Sequence, residues 1–169
     1  MTSAPLARKQ LLEHPHLTTM GLFIEAYAGL SQRLEHRLET EAHVSVQWFE
    51  VLVRLARSPG HRLRMSDLAA QTTLSASGLT RAIDRLDEAG LVRREACPSD
   101  RRGSYAVLTD AGEDRIMAAL PVHVEHLTEV LEGIFTPAEV EQLSALTRRL
   151  RDGVNPEAAR ASLPDRAVT

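Results

Sequence analysis

Residues 74–94 read LSASGLTRAIDRLDEAGLVRR, and this stretch decides the fold. Apolar side chains recur in it at steps of three and four, which is the period of a helix with one buried face. These side chains are Leu79, Ala82, Ile83 and Leu86. Ser75 is a favoured N-cap residue, and Gly90 stands where a left-handed residue ends a helix. The stretch predicts a capped amphipathic helix that leads directly into an apolar strand.

A second, shorter helix is predicted just before this one. Ser66 is its expected N-cap, and it ends near Gln71. Leu68 and Ala69 supply its buried face. A break at residues 72–74 separates the two helices, and two short helices joined by a small turn form the helix-turn-helix arrangement.

Three strands are predicted around this pair of helices. Residues 91–97 and 104–108 have strand character, and the polar loop between them is bounded by Pro98 and Gly103. Residues 63–65 add a short strand. The two longer strands predict a hairpin wing after the second helix.

Further helices are predicted on both sides of this lobe. One covers residues 17–42. The others have the expected N-caps Ser45, Thr109 and Thr136. Thr136 and Glu139 have the spacing of a capping box, in which each side chain bonds the backbone amide of the other. Pro121 lies inside the helix that begins at Thr109 and should kink it or mark a joint.

Composition excludes several classes of protein. Cys97 is the single cysteine, so an intrachain disulfide and a zinc site built on several cysteines are excluded. No signal peptide or bilayer-spanning run is expected, so the predicted location is the cytoplasm. Because phosphate-loop, nucleophile-elbow and metalloprotease motifs are lacking, neither an enzyme nor a cofactor is expected. The formal net charge is -3, so affinity for nucleic acid has to come from local clusters of positive charge.

The longer helix of the pair has a polar face that the core does not need. Its residues include Ser75, Ser77, Gly78, Thr80, Arg81 and Arg85. Short side chains near the helix start would let the backbone approach phosphates, and Arg81 would contact guanine in the major groove of double-stranded DNA. The alternative is a solvated surface with charge pairs only.

The hairpin tip carries a second group of charges. Arg101 and Arg102 lie in the predicted loop, where guanidinium groups can enter a narrow minor groove. Asp100 is expected to orient one of these arginines, because a carboxylate that faced a phosphate would be repelled. The alternative is an ordinary hydrophilic turn.

Several segments resemble the MarR (multiple antibiotic resistance) family of bacterial transcriptional regulators. Residues 74–86 and 89–94 resemble that family's recognition helix and its exit into the wing. Residues 100–102, followed by Leu108-Thr109 and Ala111-Gly112, resemble its wing and the start of its next helix. All of these pieces occur in the family's order and spacing.

The predicted fold class is mainly α with a small β wing, a winged helix-turn-helix with long N- and C-terminal dimerisation helices. The resemblance covers residues 17–152 and implies a homodimer whose recognition helices meet adjacent major grooves of a pseudo-palindromic site. The apolar stripes of the long helices also need a partner surface. The predicted regions are an N-terminal extension (1–16), a helical dimerisation region (17–44 and 109–153), a DNA-binding lobe (45–108) and a flexible C-terminal tail (154–169).

A ligand site is implied by the same resemblance. Family members usually act as repressors that a small molecule, often an aromatic anion, releases from DNA by binding between the dimerisation helices and the lobe. Candidate residues are Met20, Phe23, Tyr27, His43 and Trp48. The alternative is that these side chains belong to the core.

Other functions stay open on the sequence. His123 and His126 stand three apart on one helix face, which is compatible with a metal sensor, although no further ligand is fixed by spacing and no metal site is predicted. Cys97 ends a strand that carries Arg93 and Arg94, which is compatible with a redox sensor, and a structural cysteine is the alternative. A winged helix can also serve protein contact without any role on DNA.

Overall fold

The computed structural model describes residues 8–97 and 100–161, with the side chains of 100–102 and 160–161 excepted. The helices in these ranges are α1 (Arg8–Leu12), α2 (Pro15–Glu41), α3 (Val46–Ala56), α4 (Met65–Gln71), α5 (Ala76–Glu88), α6 (Asp110–Glu132), α7 (Pro137–Val154) and α8 (Pro156–Ala161). The strands are β1 (Arg62–Arg64), β2 (Val92–Cys97) and β3 (Asp100–Leu108), and a single turn of 3-10 helix covers Pro59–His61. The predicted fold class is confirmed.

The three strands form one antiparallel sheet in the order β1-β3-β2. Leu63 pairs with Ala106, and Val92 pairs with Leu108. The pairing of β2 with β3 continues to Cys97 and Asp100, so β3 begins four residues earlier than predicted. The register shifts between Ala96, which pairs with Ser104, and Cys97, so residues 101–103 form an irregularity in β3 where the sequence predicted a loop. The loop of the wing is therefore shorter than expected.

Most predicted helix ends are confirmed. Ser45, Ser75 and Thr109 each accept a hydrogen bond from a backbone amide in the first turn of the helix that follows, and Gly90 has a positive φ of 72°. The prediction for Ser66 is wrong. The helix begins two residues earlier than predicted, at Met65 with Arg64 in the N-cap position, and the Ser66 hydroxyl contacts Asp67 instead.

The core lies where α3, α4 and α5 meet the sheet, the end of α2 and the first half of α6. Its completely buried side chains include Leu38, Leu52, Leu68, Ile83, Leu86 and Ile116. Gly112 is needed at the start of α6, because a Cβ there would collide with the carbonyl of Leu91. This contact holds α6 against the strand that follows α5.

Helix α6 runs through Pro121 without interruption, so no joint is found there. A proline removes one backbone hydrogen bond from a helix. Ile116 and Ala119 before it and His126 after it are all buried, and this packing holds both halves of α6 in place.

Short helices are present in both terminal regions, which the sequence analysis described as an extension and a flexible tail. Residues 8–12 form α1, while residues 1–7 lie outside the described part. Residues 156–161 form α8, which packs against α4, so this part of the predicted flexible tail is docked. Residues 162–169 lie outside the described part.

Candidate nucleic-acid interface

The exposed face of α5 is built by its N-cap and its buried stripe. Ser75 Oγ accepts a hydrogen bond from the amide of Gly78 at 3.1 Å, which satisfies one of the amides that begin a helix without a partner. The stripe from Leu79 to Leu86 is buried and fixes the rotation of α5 on the core. The opposite side is exposed, and we call its residues Ser77, Thr80, Arg81 and Arg85 the recognition face.

The recognition face carries positive charge that no neighbour neutralises. Arg81 and Arg85 form no ion pair with any side chain in the described ranges 8–97 and 103–159. Asp84, which lies between them in sequence, pairs instead with Arg94 of β2, with 2.6 Å between Oδ1 and Nη2. This pair fixes α5 to the wing and engages the carboxylate that lies between Arg81 and Arg85 in sequence.

The arginines of the sheet are held by their neighbours. Arg93 pairs with Glu95 on the same strand. The guanidinium of Arg62 lies 5.0 Å from the centre of the Tyr105 ring and 3.9 Å from Glu95. Arg64 lies 5.6 Å from the same ring. Stacking and pairing engage these cations within the protein, so they are weaker candidates than Arg81 for contact with phosphate.

The predicted wing-tip residues Asp100, Arg101 and Arg102 open β3. Their backbone belongs to the hairpin, and Asp100 pairs with Cys97 across it. Their side chains lie outside the described residues. The minor-groove role of the two arginines and the bracing role of Asp100 therefore stay predictions.

The turn between α4 and α5 is held by a residue that the sequence analysis missed. Glu50 of α3 accepts two hydrogen bonds from Thr73, one from the backbone amide at 2.8 Å and one from the hydroxyl at 2.9 Å. The two residues are 23 positions apart, so neither helical nor strand periodicity relates them. Glu50 thereby fixes the turn that positions the start of α5.

The predicted ligand residues do not come together within one chain. Met20, Phe23 and Tyr27 are about half exposed on the first half of α2. His43 lies just after the end of α2. At a rise of about 1.5 Å per residue, Tyr27 lies about 21 Å from that end of the helix. Trp48 is half-buried and packs against the core of the lobe.

His43 has a structural role that its sequence position did not suggest. Its φ is 53°, in the left-handed region, and the amides of Ala42 and Val44 on either side both bond to the carbonyl of Leu38. This arrangement ends α2 in the way that a glycine usually does. The carbonyl of His43 also accepts a hydrogen bond from Arg115 at 2.6 Å.

An apolar groove of about 310 Å³ lies between α6 and α7, away from the predicted ligand residues. Its lining residues are Val124, Leu127, Thr128, Leu131, Glu132, Pro137 and Val140. Most of these side chains belong to the apolar stripes of the two helices. The groove therefore continues the exposed apolar surface of the long helices.

The two histidines of α6 serve packing between helices. The ring of His123 packs against Phe49 at a tilt of 46°, with 4.3 Å between ring centres, and burial, followed by the proximity of His126, lowers the pKa of His123. His126 is 4% exposed, and its Nδ1 accepts a hydrogen bond from Arg37 of α2 at 3.2 Å. Arg37 also bonds Glu129 at 3.0 Å, so this polar cluster ties α2 to α6.

The metal-sensor and redox-sensor alternatives from the sequence are not supported by the described part of the structure. Among the described side chains, 8–97 and 103–159, no group of three histidine, cysteine or acidic residues is arranged to hold a metal ion. Cys97 is buried at the end of β2, with 4% of its surface exposed. In the same part of the chain, no helix combines the length and the apolar content that a membrane span requires.

Comparison with known proteins places this lobe in context. A family model described as MarR family matches residues 44–103, which run from the start of the lobe into the wing. The chain is 33% identical to Sco3205 of Streptomyces coelicolor, a MarR family transcriptional regulator solved in complex with DNA, with 92% of this chain and 93% of that one covered and a TM-score of 0.73.

Two further solved structures share the fold. AbsC, another MarR family transcriptional regulator of Streptomyces coelicolor, is 31% identical over 90% of this chain and 98% of its own, with a TM-score of 0.71. BpsR of Bordetella bronchiseptica is 23% identical over 80% of this chain and 99% of its own, with a TM-score of 0.65. The chain belongs to the MarR family of transcriptional regulators, which are DNA-binding proteins and not enzymes.

Proposed function

We propose that the chain is a homodimeric repressor that binds a pseudo-palindromic DNA site through its recognition face and wing, and that a small ligand releases it. The observation that carries this proposal is the charge on α5. Arg81 and Arg85 are exposed without an acidic partner among the described side chains, while Asp84 is engaged by Arg94. Guanidinium groups in this state favour an anionic partner with hydrogen-bond acceptors, as the DNA major groove offers.

Each residue of the recognition helix has a proposed role. Arg81 reads guanine through O6 and N7, and Arg85, about one turn later, contacts a phosphate. Ser77 and Thr80 contact the backbone or base edges. Ser75 and Gly78 are small, so the first amides of α5 can approach a phosphate closely.

The wing supplies the second contact in this proposal. Arg101 and Arg102 enter the minor groove beside the recognition helix, and Asp100 orients one of them. The pair of Asp84 and Arg94 supports this arrangement, because it couples the helix to the strand that leads to the wing tip. Helix and wing would then move as one unit on DNA.

The homodimer is supported by apolar surface that one chain leaves exposed. This surface lies on the first half of α2 and on α7, and it continues into the groove between α6 and α7. Its large side chains include Leu17, Met20, Phe23, Ile24, Tyr27, Leu143, Leu146 and Leu150. A second copy of the chain would cover it and would place two recognition faces on one side of the dimer.

A small ligand is proposed to release the protein from DNA. The DNA binding of BpsR, which shares the fold, is regulated by 6-hydroxynicotinic acid. Met20, Phe23 and Tyr27 lie far from His43 and Trp48 in one chain, so a site that uses all five needs the second chain. The regulator is expected to act in the cytoplasm, where its DNA is.

Fluorescence anisotropy tests the DNA-binding role. The labelled duplex is one that the parent protein selects from a random-sequence pool, and each variant is titrated across a salt series. Arg81→Ala is expected to weaken binding by about 1–3 kcal/mol and to relax base preference at one position in each half-site. Arg85→Ala and Arg102→Ala should weaken binding to all sequences and reduce the salt dependence.

The matched control is Arg93→Ala. This arginine is also exposed and lies in the same lobe, but its charge is engaged by Glu95. The affinity of the Arg93→Ala variant for DNA should stay within about twofold of that of the parent protein. If Arg81→Ala binds as well as Arg93→Ala, the recognition face is assigned wrongly.

A further inference from the structure

The C-terminal end of the described chain returns to the DNA-binding lobe. After α7, the single residue Asn155 leads into α8, and α8 lies against α4, the first helix of the helix-turn-helix. Ala158 of α8 is buried, with 5% of its surface exposed. A direct connection therefore exists between the last long helix and the lobe.

Asn155 uses both ends of its amide at this connection. Its Nδ2 donates a hydrogen bond to the carbonyl of Ala70 at 3.0 Å, and its Oδ1 accepts one from the amide of Ala158 at 3.0 Å. The Ala70 carbonyl lies in the last turn of α4, where helix geometry leaves carbonyls without an intrahelical donor. One side chain thus caps the end of α4 and the start of α8.

The same turn is held from its other side by α3. Glu50 bonds the amide and hydroxyl of Thr73, three residues after Ala70. Between them, the amide of Thr72 closes α4 on the carbonyl of Leu68. The segment that sets the position of α5 is therefore fixed between the core helix α3 and the C-terminal connection.

We propose that Asn155 is a positioning residue for the recognition helix. Through Ala70 it couples the end of α7 to the turn before α5, so that a displacement of α7 changes the orientation of the recognition face. The proposal rests on the proposed function, because its consequence is read on DNA. It adds a path from the dimerisation region to the recognition helix that does not pass through the core.

The test uses a substitution that separates the two hydrogen bonds. Asn155→Asp keeps an oxygen for the amide of Ala158, and aspartate is as good an N-cap as asparagine. It replaces the donor to Ala70 by an oxygen that repels that carbonyl. Asn155→Ser also keeps a capping oxygen and is uncharged, so it serves if the aspartate variant fails to fold. The matched control is Glu157→Gln, which changes an exposed residue of α8.

Two readouts are taken on the full chain. Hydrogen exchange followed by mass spectrometry compares peptides that cover residues 65–73 with peptides that cover residues 46–56. Anisotropy measures affinity for the duplex that the parent selects. Both variants of Asn155 should speed exchange in residues 65–73 alone by about threefold to tenfold and weaken DNA binding by a similar factor, the range expected for one lost hydrogen bond.

The outcomes separate this proposal from the proposed function. If exchange rises while affinity matches the Glu157→Gln control, Asn155 is only structural and the positioning role is overturned. If exchange rises equally in residues 46–56, the effect is general loss of stability, which also overturns it. If the parent itself selects no duplex, the proposed function fails and the positioning role falls with it.

Discussion

The helices α5 and α7 are similar in sequence outline and opposite in surroundings. Each begins at a hydroxyl N-cap and carries an apolar stripe along one side. The stripe of α5 is buried in the lobe, whereas Leu143, Leu146 and Leu150 of α7 are 39% to 52% exposed. Periodicity therefore identifies an apolar face, but it does not tell whether the partner of that face belongs to the same chain.

The contrast assigns different tasks to the two helices. In α5 the core holds the apolar side, so the polar side is presented at a fixed angle. In α7 the apolar side is still available, which is the state expected of a helix that packs on a second copy. The lobe buries its apolar stripe within one chain, whereas α7 leaves its apolar stripe exposed.

The largest expected difference between the two stripes is in how a leucine-to-alanine substitution changes the free energy of unfolding. Leu86→Ala should lower the free energy of unfolding by about 2–5 kcal/mol, because a completely buried leucine leaves a cavity inside the lobe. Leu146→Ala should act instead on association, since its side chain contacts little within one chain. Urea unfolding at two protein concentrations, together with sedimentation, measures both effects.

The concentration dependence distinguishes the two substitutions. The loss caused by Leu86→Ala should be similar at both concentrations, whereas the loss caused by Leu146→Ala should grow on dilution as the dimer dissociates. Equal behaviour of the two variants would break the distinction between a closed lobe and an open helix.

A smaller difference is expected between the two N-caps. Thr136 and Glu139 form the predicted capping box, and hydrogen bonds from the Thr136 backbone and then from its hydroxyl lower the pKa of Glu139. The N-cap of α5 has Gly78 at the matching position, so it lacks the carboxylate. The start of α7 should therefore respond to acid, and the start of α5 should not.

The lowered pKa of Glu139 determines how the stability of the start of α7 changes with pH. The carboxylate stabilises the start of α7 above the ordinary glutamate pKa of about 4.3, and this contribution is lost as the pH falls through the lower pKa of the folded state. NMR titration of the Glu139 side chain should show that lower pKa, and Thr136→Ala should raise it. Ser75→Ala should cost about 1 kcal/mol, with no pH dependence in this range. An unshifted Glu139 in the parent would remove the contrast.

The features that the sequence predicts well are local. The caps at Ser45, Ser75, Thr109 and Thr136 depend on residues within one helical turn, and so do the apolar stripes. The winged helix-turn-helix follows from these signals and from the order of the elements. Ser66 was assigned wrongly as the N-cap because the helix begins two residues earlier, at Met65, with the same buried face.

The features that the sequence does not predict join distant positions. Glu50 with Thr73, Arg37 with His126, and Asn155 with Ala70 are 23, 89 and 85 residues apart, and periodicity does not relate them. His43 in a left-handed conformation was missed because that position usually carries glycine. The docking of α8 was missed because residues 154–169 carry little apolar pattern.

The central claim is that two copies of this chain present Arg81 to consecutive turns of one DNA duplex. Hydroxyl-radical and methylation footprinting on the selected duplex, with the mass of the complex measured by sedimentation, tests it directly. The account predicts two chains per duplex and two protected major-groove windows about 10 base pairs apart, both lost in Arg81→Ala. One chain per duplex, a single window, or guanine protection that survives Arg81→Ala would contradict it.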